Sequence, residues 1–205
     1  MRLSMTKSSK PSKTIFSAET DEIVKDIIVR AEKFKTEADS ILSKYKIPLT
    51  IEEAGKIIEN ILFKFHKVVG EIKKRHDNRE TLQINDEYDV QDLLRGLLKI
   101  HFDDVRKEEG TPSHAGKSTS IDLFLKEKQI AIETKMTRKG LDEKKIGDEL
   151  IIDIAHYQKH PKVKFLYCFV YDPEERISNP QGFEKDLSGQ HENLTTKVFV
   201  LPKRT

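Results

Sequence analysis

Apolar positions follow two different rhythms along this chain. Over residues 17–45, Ile23, Ile27, Phe34, Ala38, Ile41, Leu42 and Tyr45 recur at helical spacing until Pro48 ends the run. Thr50 and Glu53 read as a capping box opening a second helix, whose stripe is Ile57, Ile58, Ile61, Leu62, Phe65, Val68, Val69 and Ile72. Two long helices joined by a short Pro-containing loop predict a helical hairpin. Its own core is small, so it is expected to pack on the second half of the chain or on another copy of itself. After a polar stretch over 76–83 the rhythm changes. Asn85 is the expected N-cap of a helix over 86–102, with Val90, Leu93, Leu94, Leu97 and Leu98 on one side. Strand-like residues follow at 104–109, then a Gly/Ser/Thr/Pro loop at 110–120 and two alternating runs at 121–125 and 129–135 that suit a tight hairpin. A helix over 141–160, stopped by Pro161, a buried strand over 163–171, a short helix over 182–187 and a last strand over 197–201 complete the order. Helix, three strands, helix, strand, helix, strand predicts an α/β (α+β) domain, a small mixed sheet flanked by helices.

Composition narrows the class. The chain has 205 residues, 36% hydrophobic and 35% charged, and no stretch approaches the roughly 18 apolar residues of a membrane span. Its one cysteine, Cys168, excludes a disulfide framework or a cysteine zinc site within the chain, and the start carries no apolar signal segment. A reducing cytoplasm is the expectation. Charge is graded: residues 1–17 hold four bases and no acid, residues 18–80 thirteen of each, and residues 81–205 twenty bases against twenty-two acids. Residues 1–16, rich in Ser and Lys, are expected to form a disordered basic tail, followed by a helical arm at 17–80 and the main domain at 81–205. Phosphate binding must then be local. Lys135, Arg138, Lys139, Lys144 and Lys145 form one such basic locality.

The hairpin carries the chemistry. A reversal centred on Glu127 and Lys128 pairs Leu125 with Ile130, Leu123 with Ile132 and Asp122 with Glu133. Leu123, Leu125, Ile130 and Ile132 are then expected on the core face, and Asp122, Phe124, Ala131, Glu133 and Lys135 on the other. Like charges directly opposed on neighbouring strands are destabilising. A divalent cation such as Mg²⁺ or Mn²⁺ would offset that repulsion, because two carboxylates make a hard oxygen site with positions left for water and a phosphate oxygen. Lys135, on the same face, could stabilise charge on the phosphate.

Ser120-Ile121-Asp122 and Glu133-Thr134-Lys135, within that order of helices and strands, resemble the PD-(D/E)XK phosphodiesterase superfamily, of restriction-endonuclease-like fold. NDEYDVQDLL, IDLFL, IETKMTRKGL, DELIIDIAHY and FVYDPE are more narrowly similar to small prokaryotic nuclease modules associated with defence systems. The resemblance covers about half the chain and departs from the signature at Ile121, where Pro is usual. It implies metal ligation by Asp122 and Glu133, catalysis by Lys135, and a further carboxylate from the preceding helix, for which Glu87 is the candidate and Asp86 the fallback. On the helix after the hairpin, Asp153 and Tyr157 lie near the face of Ile146, Leu150 and Ile154, with Glu149 outside it. Tyr157 has two readings, a substrate contact and a core aromatic; Lys139 and Arg138 are candidate phosphate contacts. The implied function is Mg²⁺-dependent (or Mn²⁺-dependent) hydrolysis of DNA in a prokaryotic defence or DNA-processing system. RNA cleavage by the same site and a non-catalytic binding scaffold are the alternatives. No membrane is expected as a partner; the N-terminal helices are the expected surface for a homodimer or a partner protein.

Gly116-Lys117-Ser118 fails as a phosphate loop, because Gly110 stands one position too early and a strand follows where a helix is needed. His156 and His160, without an intervening motif, read as a helix surface pair, and Cys168 as a small buried filler.

Overall fold

The computed structural model describes residues 16–45, 49–110, 120–141 and 143–203. Almost all of the expected basic tail, Pro48, and the loop residues 111–119 with Gly116-Lys117-Ser118 lie outside these. The chain divides into two compact units, Met1–Leu49 and Thr50–Thr205. The expected boundary after residue 80 therefore falls inside the second unit, because the second helix buries its stripe against the sheet.

The first unit is helix α1, Phe16–Tyr45. Its polar surface carries i,i+4 ion pairs, Asp26–Arg30 at 2.8 Å and Lys33–Glu37 at 4.0 Å. The large apolar side chains between Ile23 and Ile41 are exposed.

The second unit opens with α2, Ile51–Lys73. Its capping box forms as expected, with the Glu53 amide donating to the Thr50 hydroxyl at 3.2 Å and the Thr50 amide to Glu53 Oε2 at 2.8 Å. Helix α3, Glu87–Leu98, is capped by Asp86 and not by Asn85, since only Asp86 has an acid, Asp89, at N3 to close a capping box. Strands β1 (Arg106–Gly110), β2 (Ser120–Leu125) and β3 (Ile130–Met136) follow, then α4 (Glu143–Gln158), β4 (Phe165–Tyr171), α5 (Pro180–Leu187), β5 (Gly189–His191) and β6 (Leu194–Leu201). The six strands lie in the order β1-β2-β3-β4-β6-β5. The first three and the β5–β6 pair are antiparallel, whereas β3, β4 and β6 run parallel. Sequence periodicity missed β5, three residues followed by Glu192 at positive φ, which are too short to alternate.

The hairpin register is the predicted one: Leu123 faces Ile132, Phe124 faces Ala131 and Leu125 faces Ile130. A turn over Lys126–Lys128 reverses the chain, with Gln129 in the left-handed region at φ 56°. One expectation is corrected. Both faces of this hairpin are core, because helices cover the sheet on each side, and every residue of β3 is buried. Phe124, Ala131, Leu166, Cys168 and Val170 pack with Ile146, Leu150 and Ile154 of α4. On the opposite face Phe65 of α2 meets Phe169 and Tyr171 edge-on, at centroid distances of 5.1 and 5.2 Å.

Phe65→Ala should destabilise the second unit by about 3–5 kcal/mol, since it empties a fully buried aromatic site between helix and sheet. Chemical denaturation followed by far-UV circular dichroism measures this.

Candidate active site

Two residues apart on β3, Glu133 and Lys135 project to the same side of the sheet, beneath α4. The Lys135 ammonium lies 3.0 Å from Glu133 Oε1, 3.0 Å from Asp153 Oδ2 and 4.0 Å from Glu149 Oε2. The first three side chains are nearly closed off, at 10%, 7% and 14% exposure for Lys135, Glu133 and Asp153, while Glu149 at 48% faces solvent. The other Glu133 oxygen, Oε2, accepts the Tyr157 hydroxyl hydrogen at 2.7 Å. Glu149, Asp153 and Tyr157 succeed one another every four residues, so one stripe of α4 supplies all three. Glu149 is thus part of the face that its apolar neighbours seemed to exclude it from.

Asp122 arrives from β2. Beyond Leu123 the backbone pairing with β3 gives way, and the Asp122 carboxylate substitutes for it, accepting from the Thr134 amide and the Thr134 hydroxyl, both at 2.8 Å. Asp122 and Glu133 are therefore not a cross-strand pair in the ladder; the aspartate is turned onto the backbone between Glu133 and Lys135. Sequence reasoning passed over Thr134, whose hydroxyl and amide fix this carboxylate.

The electrostatics join these groups to α3. Burial raises Glu87 to about 7 against the pull of Lys135, and Asp122, Glu149 and Asp153 push it the same way as burial. Burial also raises Asp122, although the Thr134 hydrogen bonds and Lys135 oppose it. Glu133 is held well above the usual carboxylate range by burial and then by Asp122, with Lys135 opposing. Burial alone would lower Lys135, but Glu133, Asp153 and Glu87 together outweigh it and hold the ammonium firmly protonated. Cys168, opposite Glu133 on β4, is fully buried and its thiol is raised by that burial, as a filler should be.

The structure thus brings Asp122, Glu133, Lys135 and Glu87 into one electrostatic cluster. Asp86 is committed to capping α3. Tyr157 is buried and its hydroxyl donates to Glu133. Arg138 and Lys139 are exposed just beyond the end of β3, where Gly140 takes φ 86° in the turn toward α4.

Hard oxygen donors in anionic excess suit a divalent cation, and Asp153 Oδ2 is buried with an ionic neighbour but no hydrogen bond. Among the described residues, however, no three acidic, histidine or cysteine side chains are already arranged as a coordination shell. Chemically the residues fit such an ion; in this arrangement the cation among the carboxylates is the Lys135 ammonium.

The mixed sheet, with an Asp on β2 and Glu-x-Lys on β3, defines a protein of the restriction-endonuclease-like PD-(D/E)XK superfamily. More narrowly, residues 56–203 match the DpnII-MboI restriction endonuclease family, and the chain belongs to that family of DNA-cleaving nucleases. No curated protein and no solved structure matches the chain. The family match begins within α2, in keeping with that helix being part of the sheet-bearing unit.

Two outcomes follow. Tyr157→Phe leaves a buried Glu133 oxygen without its donor and should cost about 1–3 kcal/mol in denaturant unfolding at pH 7. Folding raises the Glu87 pKa from 4.5 to about 7, so stability from its protonated form is complete below pH 4.5 and is lost as pH rises through about 7. Glu87→Gln should flatten the decline of melting temperature with pH across that window, read by thermal unfolding in a pH series.

Proposed function

We propose that this protein is a metal-dependent endonuclease that hydrolyses DNA phosphodiester bonds in a prokaryotic defence or DNA-processing system, acting in the cytoplasm. The observation that carries the reading is the buried Lys135 ammonium, 3.0 Å from both Glu133 and Asp153, with Asp122 held on the intervening Thr134 and Glu87 within electrostatic reach. Charges gathered at that cost in desolvation are typical of functional sites.

In this reading Asp122, Glu133 and Glu87 hold Mg²⁺ or Mn²⁺. Such an ion, when bound, polarises a phosphoryl oxygen and lowers the pKa of a coordinated water. Thr134 keeps the Asp122 carboxylate in place through its amide and hydroxyl, and Tyr157 does the same for Glu133. The Lys135 ammonium, protonated at any working pH, donates to the scissile phosphate and stabilises the negative charge that builds up as water attacks. Arg138 and Lys139, exposed beside the end of β3, contact neighbouring backbone phosphates. The near-balanced charge of the catalytic half predicts weak, salt-sensitive binding of substrate. Among the described residues no helix is long and apolar enough to cross a membrane.

Asp122→Ala, Glu133→Ala and Lys135→Ala should each reduce Mg²⁺-dependent plasmid cleavage by about 10²-fold or more with the fold retained by circular dichroism. Titrating Mn²⁺ should raise the melting temperature of the parent chain and not of Asp122→Ala, through linkage. Undiminished cleavage in all three variants would remove the assignment. A labelled RNA run beside the DNA tests the alternative substrate.

A further inference from the structure

The apolar positions of α1 contain a stricter pattern than amphipathicity requires. Val24, Ile27, Ala31, Phe34, Ala38 and Ile41 are spaced alternately three and four residues apart, the a and d positions of consecutive heptads, with exposed Ile23 and Ile28 flanking that seam at g and e and Val29 outside it at f. A single helix gains nothing from that seam while it faces water, and here it does, with Ile27 58% and Phe34 75% exposed. We infer that α1 pairs with α1 of a second copy of this chain as an antiparallel coiled coil, an association beyond the nuclease reading and independent of it.

Side-chain size and charge select the occupant, its direction and its register. In antiparallel pairing, a positions of one helix pack against d positions of the other, and g positions flank g positions. One register sets Val24 against Ile41 of the partner, Ile27 against Ala38 of the partner and Ala31 against Phe34 of the partner. The larger side chain meets alanine in two of these three kinds of layer, and the two-fold axis repeats each of them, giving six layers over about 26 Å of helix. In the same register Arg30, at g, lies beside Glu37 of the partner, also at g, and symmetry supplies the pair twice.

The alternatives are poorer. Sliding the antiparallel helices by one heptad in one direction brings Arg30 against itself, and in the other direction Glu37 against itself. Parallel pairing stacks Phe34 on Phe34 and leaves Ala31 and Ala38 facing their own copies, with Arg30 beside Lys35 of the partner. Arg30 and Glu37 are each already in an exposed intrahelical ion pair, with Asp26 at 2.8 Å and with Lys33 at 4.0 Å. Exposed pairs of this kind are weak, so the intermolecular contact extends them into a four-charge chain without having to break them.

The experiment uses the full chain. Sedimentation velocity across a concentration series should give twice the 23.7 kDa chain mass, and Phe34→Glu should return it to one chain while the melting of the sheet-bearing unit stays unchanged. Arg30→Glu and Glu37→Arg should each weaken the dimer at least tenfold. The double variant should restore it, although both intrahelical pairs are lost in it, and equimolar mixing of the two single variants should yield a heterodimer. A spin label on Glu22→Cys, with Cys168 too buried to react, should report a separation of about 30 Å or more, against under about 20 Å for parallel helices. A monomer at every concentration overturns the inference, and so does a dimer indifferent to Phe34→Glu, a charge reversal that does not rescue, or the short label distance. None of these readouts depends on cleavage.

Discussion

Carboxylates drawn from β2, β3, α3 and α4 repel one another, and the Lys135 ammonium is the charge that lets them share a buried space. It touches Glu133 and Asp153 at 3.0 Å and leans toward Glu149. Removing one partner of a buried charge set leaves the others uncompensated, which costs more than the pair contributes. The arrangement is therefore self-consistent only as a whole. Tyr157 satisfies the Glu133 oxygen that the lysine does not reach and Thr134 satisfies one oxygen of Asp122, so these two acids are oriented before any ligand arrives. An active site for phosphoryl chemistry needs this kind of preorganisation.

The sheet explains how such a cluster can exist in a chain of this size. β3 is shared between an antiparallel neighbour on one side and a parallel one on the other. Both sheet faces are covered, so Glu133 and Lys135 project into the layer beneath α4 while Ile132 and Thr134 face the other way. The aromatic contacts of Phe65 with Phe169 and Tyr171 hold the far side of the same strands.

Much of this was legible in the residue order, for physical reasons that can be named. The β2–β3 register followed from hydrophobic alternation on both sides of a short reversal, because slipping by one residue would have turned Leu123 and Ile132 away from their neighbours. Glu87 could be set on the side of α3 turned toward the sheet by its place on the helical wheel beside Val90 and Leu94, and Lys135 and Asp122 are among its electrostatic neighbours. Other features depend on tertiary geometry that spacing does not encode. The cap of α3 is different, a local signal that was passed over: Asp86 and not Asn85 has an acid at N3. Glu149 was judged by its apolar neighbours, yet a long side chain at the edge of a stripe reaches into the site. The role of Thr134 arises only where the ladder beyond Leu123 gives way, and that opening leaves no mark in the hydrophobic pattern.

Glu149, Asp153 and Tyr157 ride on one helix whose adjoining anchors, Ile146, Leu150 and Ile154, grip the sheet. Helix α4 is in this sense a mechanical lever: an axial slip of a single residue, about 1.5 Å, would carry all three polar groups out of reach of β3 together. The fit of a few branched aliphatic side chains, remote from any phosphate, therefore sets the tolerance to which the acid cluster is machined.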